Sequence, residues 1–124
     1  MTKLSGFVKK GWGHELIWAT TDKYCGKLMV FNEGAKFSMH FHREKDESWY
    51  VLSGEFLVHW INTFNADVIT TSLKEGDTWH NEPCSPHQLE CIKAGTIIEV
   101  STPDSVEDNY RVSPGDSQLK IEVD

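Results

Sequence analysis

Apolar residues fall along the chain in short runs that alternate with polar positions, and Gly, Pro, Asn, Asp or Ser separates one run from the next. No window sustains the i, i+3, i+4 spacing of an amphipathic helix. The pattern instead predicts strands over 15–19, 27–31, 36–42, 47–52, 55–61, 68–73, 78–82, 87–92 and 96–101, rich in β-branched and aromatic residues. Many short strands at this spacing predict an all-β sandwich or barrel. The length of 124 residues predicts a single domain over 1–124.

Two hairpins follow from the turn signals. A two-residue turn at Ser53-Gly54 sets Val51 opposite Phe56, Trp49 opposite Val58 and Glu47 opposite Trp60. Period-two alternation then puts these six residues on one inner face and Ser48, Tyr50, Leu52, Leu57, His59 and Ile61 on the other. A second turn at Ala94-Gly95 pairs Cys91 with Ile98 and Leu89 with Val100, so that His87, Leu89, Cys91, Ile98, Val100 and Thr102 share a core face. It also sets Glu90 against Glu99, an unfavourable pair of like charges.

Composition narrows the range of partners. Twelve basic against nineteen acidic residues give a net charge of −7, and the longest basic block is Lys9-Lys10, which argues against nucleic acid or anionic lipid as a partner. No stretch has the apolar length of a membrane span, and the first residues have no signal-like core, so a cytoplasmic protein is expected. Cys25, Cys84 and Cys91 are odd in number and irregular in spacing, which suits buried reduced thiols better than a disulfide framework or zinc knuckle.

The chemistry concentrates in Gly34-x5-His40-x-His42-x4-Glu47-x6-Gly54. Two residues apart on a strand, His40 and His42 leave the same face and can converge on one ion. Glu47 lies an odd number of residues further on, so the charged stretch Arg43-Glu44-Lys45-Asp46 reads as a loop that lets Glu47 open the neighbouring strand. A second stretch, Gly76-Asp77-x5-Pro83-x2-Pro86-His87, supplies a third imidazole. Three His and one Glu suit a single divalent ion such as iron, zinc, manganese, nickel or cobalt.

The first stretch matches the first cupin motif at every position, and the chain therefore resembles the cupin superfamily. The second motif departs from Gly-x5-Pro-x-Gly-x2-His-x3-Asn. One residue is added before Pro83, one is lost before His87, the internal Gly is missing and Cys91 replaces Asn. The resemblance implies a cupin jelly roll, a double-stranded β-helix barrel, holding one metal inside. Among cupins the chain is similar to the cupin domain of type II mannose-6-phosphate isomerases. The shared pieces are Trp12-Gly13-x-Glu15, Ser38 through Gly54, Gly76-Asp77, Ile98-Glu99-Val100 and Glu107-Asp108-x-Tyr110-Arg111. That family commonly has Gln where this chain has His40, and its longer members add a nucleotidyltransferase domain.

An aldose-ketose isomerase acting on a sugar or sugar phosphate is the function this resemblance implies, with Arg111 as the partner of a substrate anion or enediolate. Such proton shuttling needs a cation at the carbonyl and a base. His80 or Glu82 is the candidate base, and Lys27, Lys36 or Arg111 could neutralise a phosphate. His80 reads first as a core or edge residue and only second as that acid or base, His59 reads as structural, and Cys91 as core packing or a thiol beside the metal. Two other functions fit the same fold: a small iron-dependent dioxygenase and a non-catalytic sugar-binding cupin. A homodimer is also expected, because the inward His40 and His42 turn Phe37, Met39 and Phe41 outward beside Tyr50, Leu52, Leu57 and Ile61.

Overall fold

A computed structural model describes residues 6–119. Its strands are β1 (Gly6–Lys10), β2 (Gly13–Thr20), β3 (Cys25–Phe31), β4 (Met39–Phe41), β5 (Glu47–Ile61), β6 (Val68–Lys74), β7 (Thr78–Asn81), β8 (His87–Ser101) and β9 (Tyr110–Ser113), with a short helix α1 (Asp116–Leu119) behind them. Every pairing is antiparallel. One sheet runs β1, β2, β3, the C-terminal half of β8, the N-terminal half of β5, then β7. The other runs β9, β4, the N-terminal half of β8, the C-terminal half of β5, then β6. The two long strands therefore belong to both sheets, and the sheet curls into the jelly roll expected from sequence.

Neither hairpin forms. Both turn signals lie inside continuous strands, at the point where β5 and β8 bend together. Gly54 has φ of 89° there, and a Cβ on it would sit 2.6 Å from the Lys93 carbonyl oxygen. A Cβ on Gly95 would collide with the Ser53 carbonyl. These glycines permit a close backbone crossing rather than a reversal of the chain.

The inner face of β5 is nevertheless as expected: Glu47, Trp49, Val51, Phe56 and Val58 are buried and Trp60 is half-buried. The register slips between Val51 and Phe56. An irregularity there shifts the alternation by one, just as a two-residue turn would. In β8 the alternation runs through unbroken. Ile97, Glu99 and Ser101 follow His87, Leu89 and Cys91 inward, whereas Val100 is exposed. The expected inward Ile98 and Val100 are thus corrected, and Glu90 and Glu99 lie on opposite faces instead of facing each other.

The core between the sheets gathers Trp12, Phe31, Phe37, Trp49, Phe56, Leu89 and Ile97 among others, with Trp12 stacked on Phe31 at 4.3 Å. Phe37 and Met39 are 8% and 6% exposed, not outward as expected. β4 is shorter than the sequence pattern suggested, and period two does not extend back through residues 36–38. Lys36 lies outside β4, with an isolated bridge to Glu90 and backbone bonds to Asp116.

Candidate metal centre

Three strands bring the four residues of the site together. His40 lies in β4 directly opposite His87, the first residue of β8; His42 follows β4, and Glu47 opens β5. The three imidazoles each present a ring nitrogen, and these atoms lie within 4.8 Å of one another. The Nδ1 of His40 bonds to the Ser38 carbonyl at 2.8 Å, that of His42 to the Asp108 carbonyl at 2.6 Å, and that of His87 to the Ser85 carbonyl at 2.9 Å. A carbonyl oxygen can only accept, so each Nδ1 carries a proton, and in the neutral ring the lone pair then lies on Nε2.

Glu47 completes the set. Its Oε1 lies 3.0 Å from His87 Nε2 and 3.9 Å from His42 Nε2, while its other oxygen is 3.4 Å from Lys45 Nζ. His87 Nε2 is buried and makes no hydrogen bond. A lone pair and a carboxylate oxygen at that distance repel each other unless they share a proton or a metal ion. Burial, reinforced by the neighbouring His87 and His42, drives His40 down to about 3, and burial also lowers His42, so both rings are neutral near pH 7. Burial alone would raise Glu47, but the Lys45 ammonium and then His87 hold it well below the usual carboxylate range. Three imidazoles with one carboxylate form a donor set that fits a divalent ion.

Behind Glu47 lies a buried ionic web that sequence reasoning did not find. Lys45 Nζ reaches Glu99 at 3.0 Å and Asp104 at 3.3 Å; Lys27 Nζ reaches Asp104 at 2.9 Å and Glu15 at 3.4 Å. Trp49 Nε1 donates to Glu99 at 3.1 Å. Burial, then the adjacent Glu47 charge, pushes Glu99 up to about 7. For Asp104, burial is outweighed by Lys45 and Lys27, which hold it below its ordinary value. The outward signal of Lys45 was its place in a fully charged loop, and Glu99 was misplaced with the second hairpin.

A cavity of about 860 Å³ opens in front of the site, with His40, His42, Glu47, Lys27, Lys45 and Arg111 on its walls and Trp12 and Phe37 among its apolar surfaces. Arg111 reaches it because β9 pairs with β4, placing Arg111 opposite His40. His80 is not brought there. It faces Ser48 across β5 and β7, has 54% of its side chain exposed, and bonds through Nε2 to Asp46 at 2.5 Å. Parity along β7 sends His80 to the outer face, so it is not brought to the metal side, where the sequence placed it as a candidate acid or base. Lys36 does not line the cavity, and Lys27 is already met by carboxylates. His59 is structural, as expected, bonded to Thr70 and Glu90, and Cys91 is buried in the core, its thiol pushed up to about 11 by burial.

These features define a jelly roll with a metal-competent histidine cluster inside it. The cupin domain family matches residues 27–101, and the chain belongs to that family. No curated protein matches the sequence. Among solved structures, an RmlC-like cupin from Shewanella frigidimarina NCIMB 400 is 22% identical with a TM-score of 0.68, covering 86% of this chain and 88% of that one. A variant of oxalate decarboxylase from Bacillus subtilis is 16% identical with a TM-score of 0.73, and the match covers 90% of this chain but 34% of that one. The capsular polysaccharide assembling protein CapF from Staphylococcus aureus is 13% identical with a TM-score of 0.74, over 90% of this chain and 33% of that one. This chain thus spans about a third of the two larger proteins, and similarity at these identities speaks to fold. Among the described residues no helix is long and apolar enough to cross a membrane.

Proposed function

We propose that this metal-binding cupin is an enzyme that interconverts an aldose and its ketose, using one divalent ion held by His40, His42, Glu47 and His87. The observation that carries the reading is the convergence of three imidazoles, each fixed by a carbonyl behind it, beside a cavity whose walls carry His40, His42 and both acidic and basic groups. When bound, the ion supplies a Lewis acid for a carbonyl and its neighbouring hydroxyl. With His80 on the outer face, the proton carrier falls to Glu15, whose carboxylate lines the cavity and lies in the Trp12-Gly13-x-Glu15 stretch. Its Lys27 contact at 3.4 Å orients it. Arg111, with no carboxylate partner among the described residues, anchors the anionic end of a sugar phosphate or the charge that develops on an open-chain sugar.

The test is solvent-deuterium incorporation at the carbon next to the carbonyl, across hexose and pentose phosphates and free sugars, with iron, zinc, manganese, cobalt and nickel each loaded. Exchange or conversion supports the isomerase, and the absence of both with every metal discards it. A second reading, an iron-dependent oxygenase, draws on the same donor set, because four protein ligands leave positions open on an ion that prefers six. Oxygen uptake by the iron-loaded protein separates the two, and sugar binding without turnover marks a non-catalytic cupin.

The partner is a second copy of the chain. On the outer face, Leu16, Leu28, Ile98 and Tyr50 form one cross-strand row, and Trp18 and Val100 lie beside it. Leu16, Trp18, Tyr50 and Val100 are all exposed. A two-fold axis through this face covers it.

A further inference from the structure

His42 lies just past β4 and Glu47 opens β5, so their relative placement depends on the bridge of residues 43–46 between them. That bridge is made only of charged residues and has no apolar side chain with which to pack itself down. One distant residue takes up three of its four backbone N–H groups. The Asp108 carboxylate accepts the backbone N–H of Arg43 at 2.7 Å, of Glu44 at 3.1 Å and of Lys45 at 3.0 Å. Three successive N–H groups pointing at one anion form a backbone nest. The main-chain carbonyl of the same residue accepts the His42 Nδ1 proton at 2.6 Å. Thr102 adds a reciprocal pair of bonds with Asp46 at the far end of the bridge, and Tyr110 and Arg111 pair with β4 just beyond. Asp108 does not itself line the cavity.

We infer that Asp108 is a positioning residue of the metal centre: its carboxylate sets the bridge that spaces Glu47 from His42, and its carbonyl sets the His42 ring. The role rests on the metal reading above, not on the identity of the substrate. It gives the Glu107-Asp108-x-Tyr110-Arg111 stretch a task separate from that of Arg111.

The experiment uses the full chain and cobalt(II), titrated against a competing chelator and followed by the ligand-field absorption of the bound ion. Asp108→Ala is expected to weaken cobalt binding by about 10- to 100-fold, the range seen when groups that orient ligands are lost, and to alter the absorption spectrum. Asp108→Asn keeps an oxygen acceptor and should recover part of both. Val112→Ala, an exposed change on β9 outside the cavity, should match wild type. Wild-type affinity and spectrum in both Asp108 variants would overturn the inference. So would a loss of affinity with an unchanged spectrum and no recovery in Asn, since that pattern means general loosening. If the Ala variant does not fold, the Asn variant decides: weaker cobalt binding at an unchanged metal-free melting temperature supports the role, and wild-type binding overturns it. A wild-type chain that takes up no cobalt removes the metal reading first, and this inference with it.

Discussion

Single side chains in this protein act through partners far away in sequence. The Lys45 ammonium sits among Glu47, Glu99 and Asp104, all close enough to form ion pairs. Lys45→Met leaves those carboxylates without their shared cation, and an uncompensated buried charge costs about 3–5 kcal/mol; denaturant unfolding of the metal-free protein should show a loss of that order. His87→Ala removes one of the four proposed ligands, and chelator competition should register a fall in metal affinity greater than about 100-fold, beyond that of an orienting group. The pH dependence has a definite sign. His40 titrates near 3 in the folded chain against an ordinary value of 6.5, so the unfolded chain binds the extra proton between those values. The metal-free protein should therefore lose stability as pH falls from about 6.5 towards 3, in thermal melts taken across that window. His40, His42 and Glu47 were legible in sequence because their chemistry is written in local spacing. Lys45 and Asp108 were not, since their partners Asp104 and His42 lie 59 and 66 residues away.

At the scale of the strand, the glycines separate into two kinds. A methyl group on Gly95 would run into the Ser53 backbone, whereas one on Gly34 meets nothing within 4 Å, although Gly34 has a φ of 81°. Gly34→Ala should cost about 1–2 kcal/mol for the left-handed conformation alone, while Gly95→Ala should fall in the tail above about 4 kcal/mol, where backbone strain and overpacking lie. Equilibrium unfolding of the two variants tests the contrast. Sequence could not tell a glycine that turns a chain from one that lets two chains cross, because Ser53-Gly54 and Ala94-Gly95 look like hairpin turns in either case. The face of β5 came out right because the bend shifts alternation by an odd step, as a turn does. In β8 no such shift occurs, and Glu99 consequently enters the ionic web. β9 was missed because all four of its residues are exposed and carry no alternation.

For the molecule as a whole, the error in β8 also changed the outer surface. Ile98 and Val100, once outward, join Leu16, Trp18 and Tyr50, while Phe37 and Met39 leave the patch for the interior. The expected dimer face thus moves to the β2, β3, β8 and β5 sheet. Sedimentation of wild type should give a dimer at micromolar concentration, and Val100→Asp should shift it to monomer with its metal content intact. A monomeric wild type would show that this face has no second copy on it.

β5 and β8 are each one unbroken strand running through both sheets. Neither sheet can melt while the other stays intact, because the same two backbones would have to be ordered and disordered at once. The protein should therefore lose its structure in one cooperative step, without a half-folded species. Amides on both sides of the bend, in residues 56–60 and 97–100, should then exchange with solvent only by global opening and report a common free energy.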